Sequence, residues 1–134
     1  MKILGISAYY HDAAACLIYN GKILSAAQEE RFTRIKHDKS FPEKAIQFCL
    51  QEYKIKKEDI DYVAFYDNWH LKKKRNLDNA LTYGHLSSEN FISAAYNKIK
   101  ELEMLDQLKD LLNWNDDQIK KRLFYTQHHY SHAA

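Results

Sequence analysis

Two stretches of the 134-residue chain carry side chains suited to catalysis or metal binding, and both contain histidine. Near the start, His11 and Asp12 stand side by side, flanked by small residues that let another group approach closely. An imidazole next to a carboxylate can transfer a proton or orient a nucleophile. The competing interpretation is structural: Asp12 caps a turn and His11 is an exposed loop residue. The residues alone leave both interpretations open.

Near the end of the chain, His128 and His132 are four residues apart, which places both imidazoles on one face of a helical turn. Two neutral imidazoles so placed suit Zn²⁺, Fe²⁺ or another borderline transition metal. His129 points elsewhere on such a turn and is the poorer ligand. By itself this spacing is a weak indication of a metal site, since most such pairs bind none.

The elements around His11 predict a rigid β-hairpin. Apolar runs at residues 1–7 and 13–19 predict two strands, with the His11–Asp12 loop between them. Asn20-Gly21 predicts a type I′ turn, because that turn requires positive φ at both central residues. A third, antiparallel strand is expected at residues 22–29. The hairpin would hold the loop at one edge of the sheet, where its backbone N–H groups can face an anion.

Helices and strands alternate in the remainder of the chain. Ser40 and Pro42 predict the capped start of a helix that ends near Tyr53, and a fourth strand is expected at residues 60–66. The long helix predicted at residues 87–112 has an apolar stripe interpreted as core or packing surface: Phe91, Ile92, Ala95, Ile99, Leu102, Leu105, Leu108 and Leu112.

A short helix at residues 116–121 and a fifth strand at 122–127 then lead directly to His128. Residues at the carboxyl ends of strands line the ligand crevice of α/β folds, so the location favours a site.

Composition argues against several classes of protein. A net charge of +2 disfavours a dedicated nucleic-acid binder, and no apolar run approaches the ~20 residues that a membrane span requires. The N-terminus has a strand pattern instead of a signal peptide, so we expect a cytoplasmic protein. Cys16 and Cys49 are interpreted as small buried hydrophobes without a disulfide. The basic cluster at residues 72–75 is interpreted as a solvated face, with steering of anionic substrates as the alternative.

Residues 3–46 resemble the N-terminal signature of the nodulation-type O-carbamoyltransferases, the family that acts on nodulation factors, cephamycins and aminoglycosides. The similarity runs through ILGISAYYHDAAACLI and NGKILSAAQEERFTRIKHDKSFPEKAI, and a second match is HHYSHAA at residues 128–134. Residues 66–118 contain no motif of comparable strength. The resemblance implies an α/β fold, the N-terminal lobe of an actin/hexokinase/Hsp70-like ATPase, with a mixed sheet, an opening β-hairpin and flanking helices.

Members of this family are several times longer, with two ATPase-like lobes and a further domain that forms carbamoyl-adenylate. We therefore expect residues 1–134 to be an incomplete N-terminal lobe, with a helical insertion at about residues 67–120 and no activity of its own. Apolar surface left without its normal partner would favour a homo-oligomer.

The resemblance also implies a reaction. Carbamoyl phosphate and ATP would form carbamoyl-adenylate, and the carbamoyl group would pass to a hydroxyl of a small molecule or sugar. His11 is implied as the base for that hydroxyl, and Asp12 as the group that orients the base or contacts the nucleotide. His128 and His132 are implied as ligands of Fe²⁺, Zn²⁺ or another divalent metal, completed by an aspartate that lies far downstream in the family. The metal would polarise the carbonyl or hold the nucleotide phosphates.

The charged block that follows the third strand has two interpretations. Arg31, Arg34 and Lys36, with Glu30, would either contact the anionic donor or form an ion-pair network that fixes the exit of the strand. The residues favour neither interpretation.

Two further functions compete with carbamoyl transfer. One is a non-catalytic nucleotide- or partner-binding module of the same fold. The other is a sugar- or acyl-phosphate kinase of the same superfamily, which normally has a glycine-bearing phosphate loop after the first strand. Residues 7–12 contain no glycine, which weighs against a kinase.

Overall fold

The computed structural model describes residues 1–71, 74, 75, 78, 88–128 and 130. Its centre is a mixed sheet whose strands are β1 (Lys2–Ser7), β2 (Ala14–Tyr19), β3 (Lys22–Gln28), β4 (Tyr62–Phe65) and β5 (Leu123–Tyr125). The strands lie in the order β3-β2-β1-β4-β5.

The helices are α1 (Glu30–Thr33), α2 (Glu43–Glu52), α3 (Ser88–Leu112) and α4 (Asp116–Arg122), with a 3₁₀ turn at Lys57–Asp59. Asn115 caps α4 by accepting the backbone N–H of Gln118 at 2.9 Å, and the side chain of Gln118 accepts the backbone N–H of Asn115 in return. These bounds agree with the predicted elements to within about two residues at most ends, the margin within which helix ends are defined.

The first three strands form the antiparallel meander that the sequence predicts. Asn20 and Gly21 have φ of 48° and 79°, the positive values that a type I′ turn requires. Beyond this meander, β4 pairs with β1 and β5 pairs with β4, both in parallel. The mixed sheet, the opening hairpin and the flanking helices confirm the predicted fold class.

The start of α2 differs from the prediction that Ser40 caps it. The helix has Pro42 at its N-cap position and receives no hydrogen bond from a capping side chain there. Instead Glu29, at the end of β3 and only 2% exposed, accepts the backbone N–H groups of Lys44 at 3.2 Å and Ala45 at 2.8 Å. A carboxylate from a distant part of the chain therefore satisfies the orphan donors of this helix and complements its dipole.

The apolar stripe of α3 is buried only in part. Leu108 and Leu112 of this stripe are fully buried in the core beside α4 and the sheet, together with Met104, which the predicted stripe does not include. Ile92, Ile99 and Leu102, which the periodicity also assigns to core or packing surface, are 65%, 54% and 49% exposed. The helix extends beyond the surface that the described core offers it, so periodicity over-predicts the burial of apolar residues before Met104.

Cys16 and Cys49 are free thiols, as expected, although only Cys49 is fully buried. Within the part of the chain that the structure describes, no helix combines the length and the apolar character needed to cross a membrane.

Replacing the buried carboxylate of Glu29 should destabilise the fold. Glu29→Ala removes both acceptors and strands two N–H groups at the start of α2, so we expect a loss of about 1–3 kcal/mol in the free energy of unfolding, measured by urea titration. Glu29→Gln keeps one acceptor oxygen and should cost less.

Glu43→Ala provides the matched control, because it removes an exposed carboxylate from the first turn of the same helix. Its cost should stay below about 1 kcal/mol. Equal stability of Glu29→Ala and Glu43→Ala would contradict the capping role of Glu29.

Candidate functional site

The candidate residues that the sequence indicates near both ends of the chain lie at one edge of the sheet. Because β1, β4 and β5 are parallel, their carboxyl ends meet at this edge. Strand β1 leads into residues 8–13, called loop 1, which contains His11 and Asp12. Strand β4 leads to Asp67, and β5 leads to His128.

Loop 1 is joined by backbone hydrogen bonds to residues 34–42, called loop 2, which connect α1 to α2. The N–H groups of Tyr9 and Ala13 donate to the carbonyl oxygens of Lys39 and Asp38, each at 2.8 Å. The carbonyl of Ala13 accepts in turn from the N–H of Glu29 at 2.7 Å. The two loops are therefore one hydrogen-bonded unit.

Asp38 holds this unit together from the side of loop 2. Its side chain is 7% exposed and accepts the hydroxyl of Thr33 at 2.7 Å and the backbone N–H of Ser40 at 2.8 Å. Hydrogen bonds from Ser40 and then Thr33 lower the pKa of the Asp38 carboxyl below its ordinary value of 3.8. Ser40, which the sequence predicts to cap α2, instead donates its backbone N–H to Asp38 within loop 2.

The structure brings His11 and Asp12 into direct contact and adds a second imidazole. Asp12 Oδ2 lies 2.8 Å from Nδ1 of His11, and Asp12 Oδ1 lies 2.7 Å from Nδ1 of His37. The hydrogen bond from His37, and then that from His11, lowers the pKa of the Asp12 carboxyl. The Asp12 carboxylate therefore bridges the two imidazoles.

Sequence reasoning missed His37. It lies in loop 2 with φ of 56°, and its N–H donates to Oε2 of Glu30 at 3.0 Å. The signal available in the sequence was the hairpin itself, since β3 must carry the following residues back beside loop 1. One potential metal-ligand atom from each of Asp12, Glu30 and His37 lies within 4.8 Å of the other two. The His37 imidazole and the Asp12 carboxylate are, however, already hydrogen-bonded to each other.

The predicted anion-contacting residues Arg31, Arg34 and Lys36 are all exposed. Arg34 ends α1 in the left-handed conformation, with φ of 61°. Among the described residues, no ion pair engages these three side chains, so the predicted alternative of an ion-pair network is not formed there. Glu30 instead binds the backbone of His37. The three cations remain exposed to solvent around the exit of β3.

An open cleft of about 510 Å³ lies at the carboxyl ends of β4 and β5, and its lining includes Tyr10, Asp67, Arg75 and His128. The ring of Tyr10 is 4.6 Å from the ring of His11 and 6.2 Å from the ring of His128, measured between centroids. Loop 1 and the region after β5 thus contact each other through Tyr10.

Asp67 is another residue that sequence reasoning missed. It is 2% exposed and lies two residues after the end of β4, where a single carboxylate produces no periodic pattern in the sequence. Of the predicted metal ligands, His128 borders the cleft, while His132 lies outside the described residues, as do Lys72 and Lys73 of the basic cluster. His128 and the buried Asp67 both line this cleft, and an imidazole and a carboxylate are ligand types that a divalent transition metal accepts.

Residues 2–134 match the family described as carbamoyltransferase N-terminus. The chain therefore belongs to this family of carbamoyltransferase N-terminal domains.

Two curated relatives illustrate the match. The uncharacterized protein sll1178 of Synechocystis is 42% identical over 136 aligned positions, which cover 98% of this chain and 22% of that protein. The nodulation protein NolNO of Sinorhizobium fredii is 30% identical over 129 positions, which cover 95% of this chain and 17% of that protein. The chain spans about a fifth of the length of these relatives. Among solved structures, YeaZ from Pseudomonas aeruginosa aligns with a TM-score of 0.45 at 10% identity, over 95% of this chain and 45% of that one.

Because Asp38 is hydrogen-bonded in the folded state, the free energy of unfolding should depend on pH in the acid range. Because the folded-state pKa is lowered, the stabilisation is complete above the ordinary value of 3.8 and is lost as the pH falls through the folded-state pKa. The free energy of unfolding should therefore fall more steeply with acid in the wild type than in Asp38→Asn. Asp110→Asn, at an exposed position of α3, is the control and should keep the wild-type slope. Parallel curves for the wild type and Asp38→Asn would contradict this role.

Proposed function

We propose that this chain is the acceptor-activating part of an ATP-dependent O-carbamoyltransferase. The observation that carries the proposal is the Asp12-bound imidazole of His11, on a loop braced by backbone hydrogen bonds at the carboxyl edge of the sheet. Membership of the carbamoyltransferase N-terminus family supports the reaction class.

The proposed chemistry is proton removal coupled to carbamoyl transfer. An ionised carboxylate only accepts hydrogen bonds, so Nδ1 of His11 donates to Asp12, and in the neutral ring Nε2 is left with its lone pair. Nε2 would take the proton of the acceptor hydroxyl as its oxygen forms a bond to the carbamoyl carbon. The bond between that carbon and the adenylate phosphate oxygen then breaks, and AMP leaves with the electron pair. Carbamoyl phosphate and ATP supply the adenylate, with release of phosphate from the first and pyrophosphate from the second.

Exposed cations at the exit of β3 suit the anionic partners in this reaction. Arg31, Arg34 and Lys36 would contact the phosphates of the carbamoyl donor or nucleotide, since no described carboxylate neutralises them. Helix α1 and loop 2 hold the three residues close to the His11 loop.

A divalent metal, Fe²⁺ or Zn²⁺, would be held by His128, which lines the cleft after β5, and by His132, which the four-residue spacing assigns. When bound, it would polarise the carbamoyl carbonyl or hold the nucleotide phosphates. The family resemblance, the four-residue spacing and the position of His128 support this assignment. The residues of the chain itself supply the imidazoles and the shape of the cleft.

A second candidate function is a non-catalytic module that binds a partner through the sheet. A shallow cavity of about 970 Å³ on the sheet is lined by many small and apolar residues, including Ala14, Ile23, Phe32 and Phe48. Ile23 is 70% exposed and Phe48 is 38% exposed. Exposed apolar side chains grouped on one face of a sheet favour a contact with another protein. Carbamoyl transfer by a full-length protein that carries this sequence would separate the first function from the second.

Removing the proposed base should abolish most of the transfer. His11→Ala in such a full-length protein should lower the rate of carbamoyl transfer by about 10²–10⁴-fold, because water must then remove the proton of the acceptor hydroxyl. The assay follows labelled carbamoyl phosphate into a hydroxyl acceptor in the presence of ATP. The fold should persist, since the His11 side chain is 51% exposed.

His70→Ala is the control for the loss of an exposed imidazole, because His70 is 68% exposed and pairs with Glu101 instead of loop 1. It should keep the wild-type rate. Wild-type turnover in His11→Ala would overturn the assignment of the base.

Removing either proposed ligand should reduce metal uptake. After incubation with Fe²⁺ or Zn²⁺ and gel filtration, the wild-type protein should retain more metal by elemental analysis than His128→Ala or His132→Ala, since each change deletes one of two imidazole ligands. His70→Ala again provides the control and should retain the wild-type amount. Undiminished metal in both ligand variants would refute the proposed site.

A further inference from the structure

The carboxylate of Asp12 is held from two sides. His11 and His37 approach its two oxygens at 2.8 Å and 2.7 Å, so each imidazole engages a different oxygen. Because an ionised carboxylate has no proton to give, Nδ1 of each imidazole must be the donor. A carboxylate that accepts one hydrogen bond can still rotate about its Cβ–Cγ bond. Hydrogen bonds to both oxygens fix the plane of the carboxylate.

His37 is itself fixed, although its side chain is 59% exposed. Its backbone has φ of 56°, a conformation that most side chains avoid, and its N–H is bound by the Glu30 carboxylate at 3.0 Å. The neighbouring Asp38 anchors loop 2 to loop 1 through the N–H of Ala13. The backbone around His37 is thus built to present the imidazole to Asp12.

We propose that His37 is a positioning residue, which holds the Asp12 carboxylate so that His11 keeps its proton on Nδ1 and its lone pair on Nε2. The proposal deepens the proposed function, on which the role of Nε2 rests. His37 does not touch the acceptor in this account. It acts through Asp12, and the hydrogen bond at Nδ1 decides which nitrogen of His11 is free.

Two substitutions separate the hydrogen bond of His37 from its backbone conformation. His37→Asn keeps a side-chain N–H donor close to the position of Nδ1, and asparagine tolerates positive φ. His37→Gly also tolerates positive φ but has no donor. His37→Asp has the shape of asparagine without the donor and provides a second test if the glycine variant fails to fold.

The readout is the tautomer of the neutral His11 ring in the 134-residue chain, measured by long-range nitrogen–proton NMR. The wild type and His37→Asn should hold His11 as the Nδ1–H tautomer. His37→Gly and His37→Asp should give a mixture in which the Nε2–H form is populated. An unchanged tautomer in the folded donor-free variants would overturn the proposal, as would a mixture in His37→Asn equal to that in His37→Gly.

Kinetics in a full-length protein that carries this sequence provide a second readout. His37→Gly should lower kcat by about 10- to 100-fold, the range for partners that orient a functional imidazole, while KM for the acceptor changes little. His37→Asn should restore most of the rate. A lower rate that asparagine does not restore would contradict the proposal.

The two experiments distinguish this proposal from the proposed function. If His11→Ala retains full activity, the base assignment fails while the tautomer measurement still tests His37. If the tautomer is independent of His37, the positioning role fails and His11 remains a candidate base.

Discussion

The buried Asp38 is the residue on which the geometry of the site depends. Its carboxylate joins the end of α1 to loop 2 through Thr33 and Ser40, and its backbone carbonyl accepts the N–H of Ala13. The hydrogen bond from the Tyr9 N–H to Lys39 and the bond between Asp12 and His37 also join loop 1 to loop 2, the second of them between partly exposed side chains. The backbone position of His11 is therefore set by the interior of the turn, while Asp12 holds its ring.

The sheet and α2 extend this arrangement into the core. Glu29 connects the end of β3 to the N-terminus of α2 through a buried carboxylate, and its N–H also binds the carbonyl of Ala13 in loop 1. One residue thus joins the strand, the helix and the loop. The parallel pairing of β1, β4 and β5 brings Asp67 and His128 to the same edge. Contacts through Tyr10 complete the connection between the two sequence motifs.

What could be predicted from the sequence was local. The Asn20-Gly21 turn, the strand pattern around it and the adjacent pair His11 and Asp12 depend on neighbours in the chain, so the residues sufficed. The family resemblance then supplied the expected fold and the histidines of the last motif. Helix α4 was also predictable, because its cap is formed by residues three apart.

What could not be predicted depends on tertiary contacts. Glu29 caps a helix that begins fourteen residues later, and a local search for a cap selected Ser40 instead. His37 meets Asp12 only because the hairpin returns the chain, and the sequence separates them by 25 positions. The exposure of Ile92 and Ile99 follows from how far α3 extends past the sheet, which periodicity cannot specify.

Native-state hydrogen exchange of the Tyr9 and Ala13 amides most directly tests whether loop 1 and loop 2 form one unit. Both amides lie in a loop but donate to carbonyls of loop 2 at 2.8 Å. They should exchange about as slowly as the amides within β1, and Asp38→Ala should accelerate both together. Exchange at the rate of unstructured peptide in the wild type, or protection unaffected by Asp38→Ala, would contradict the account.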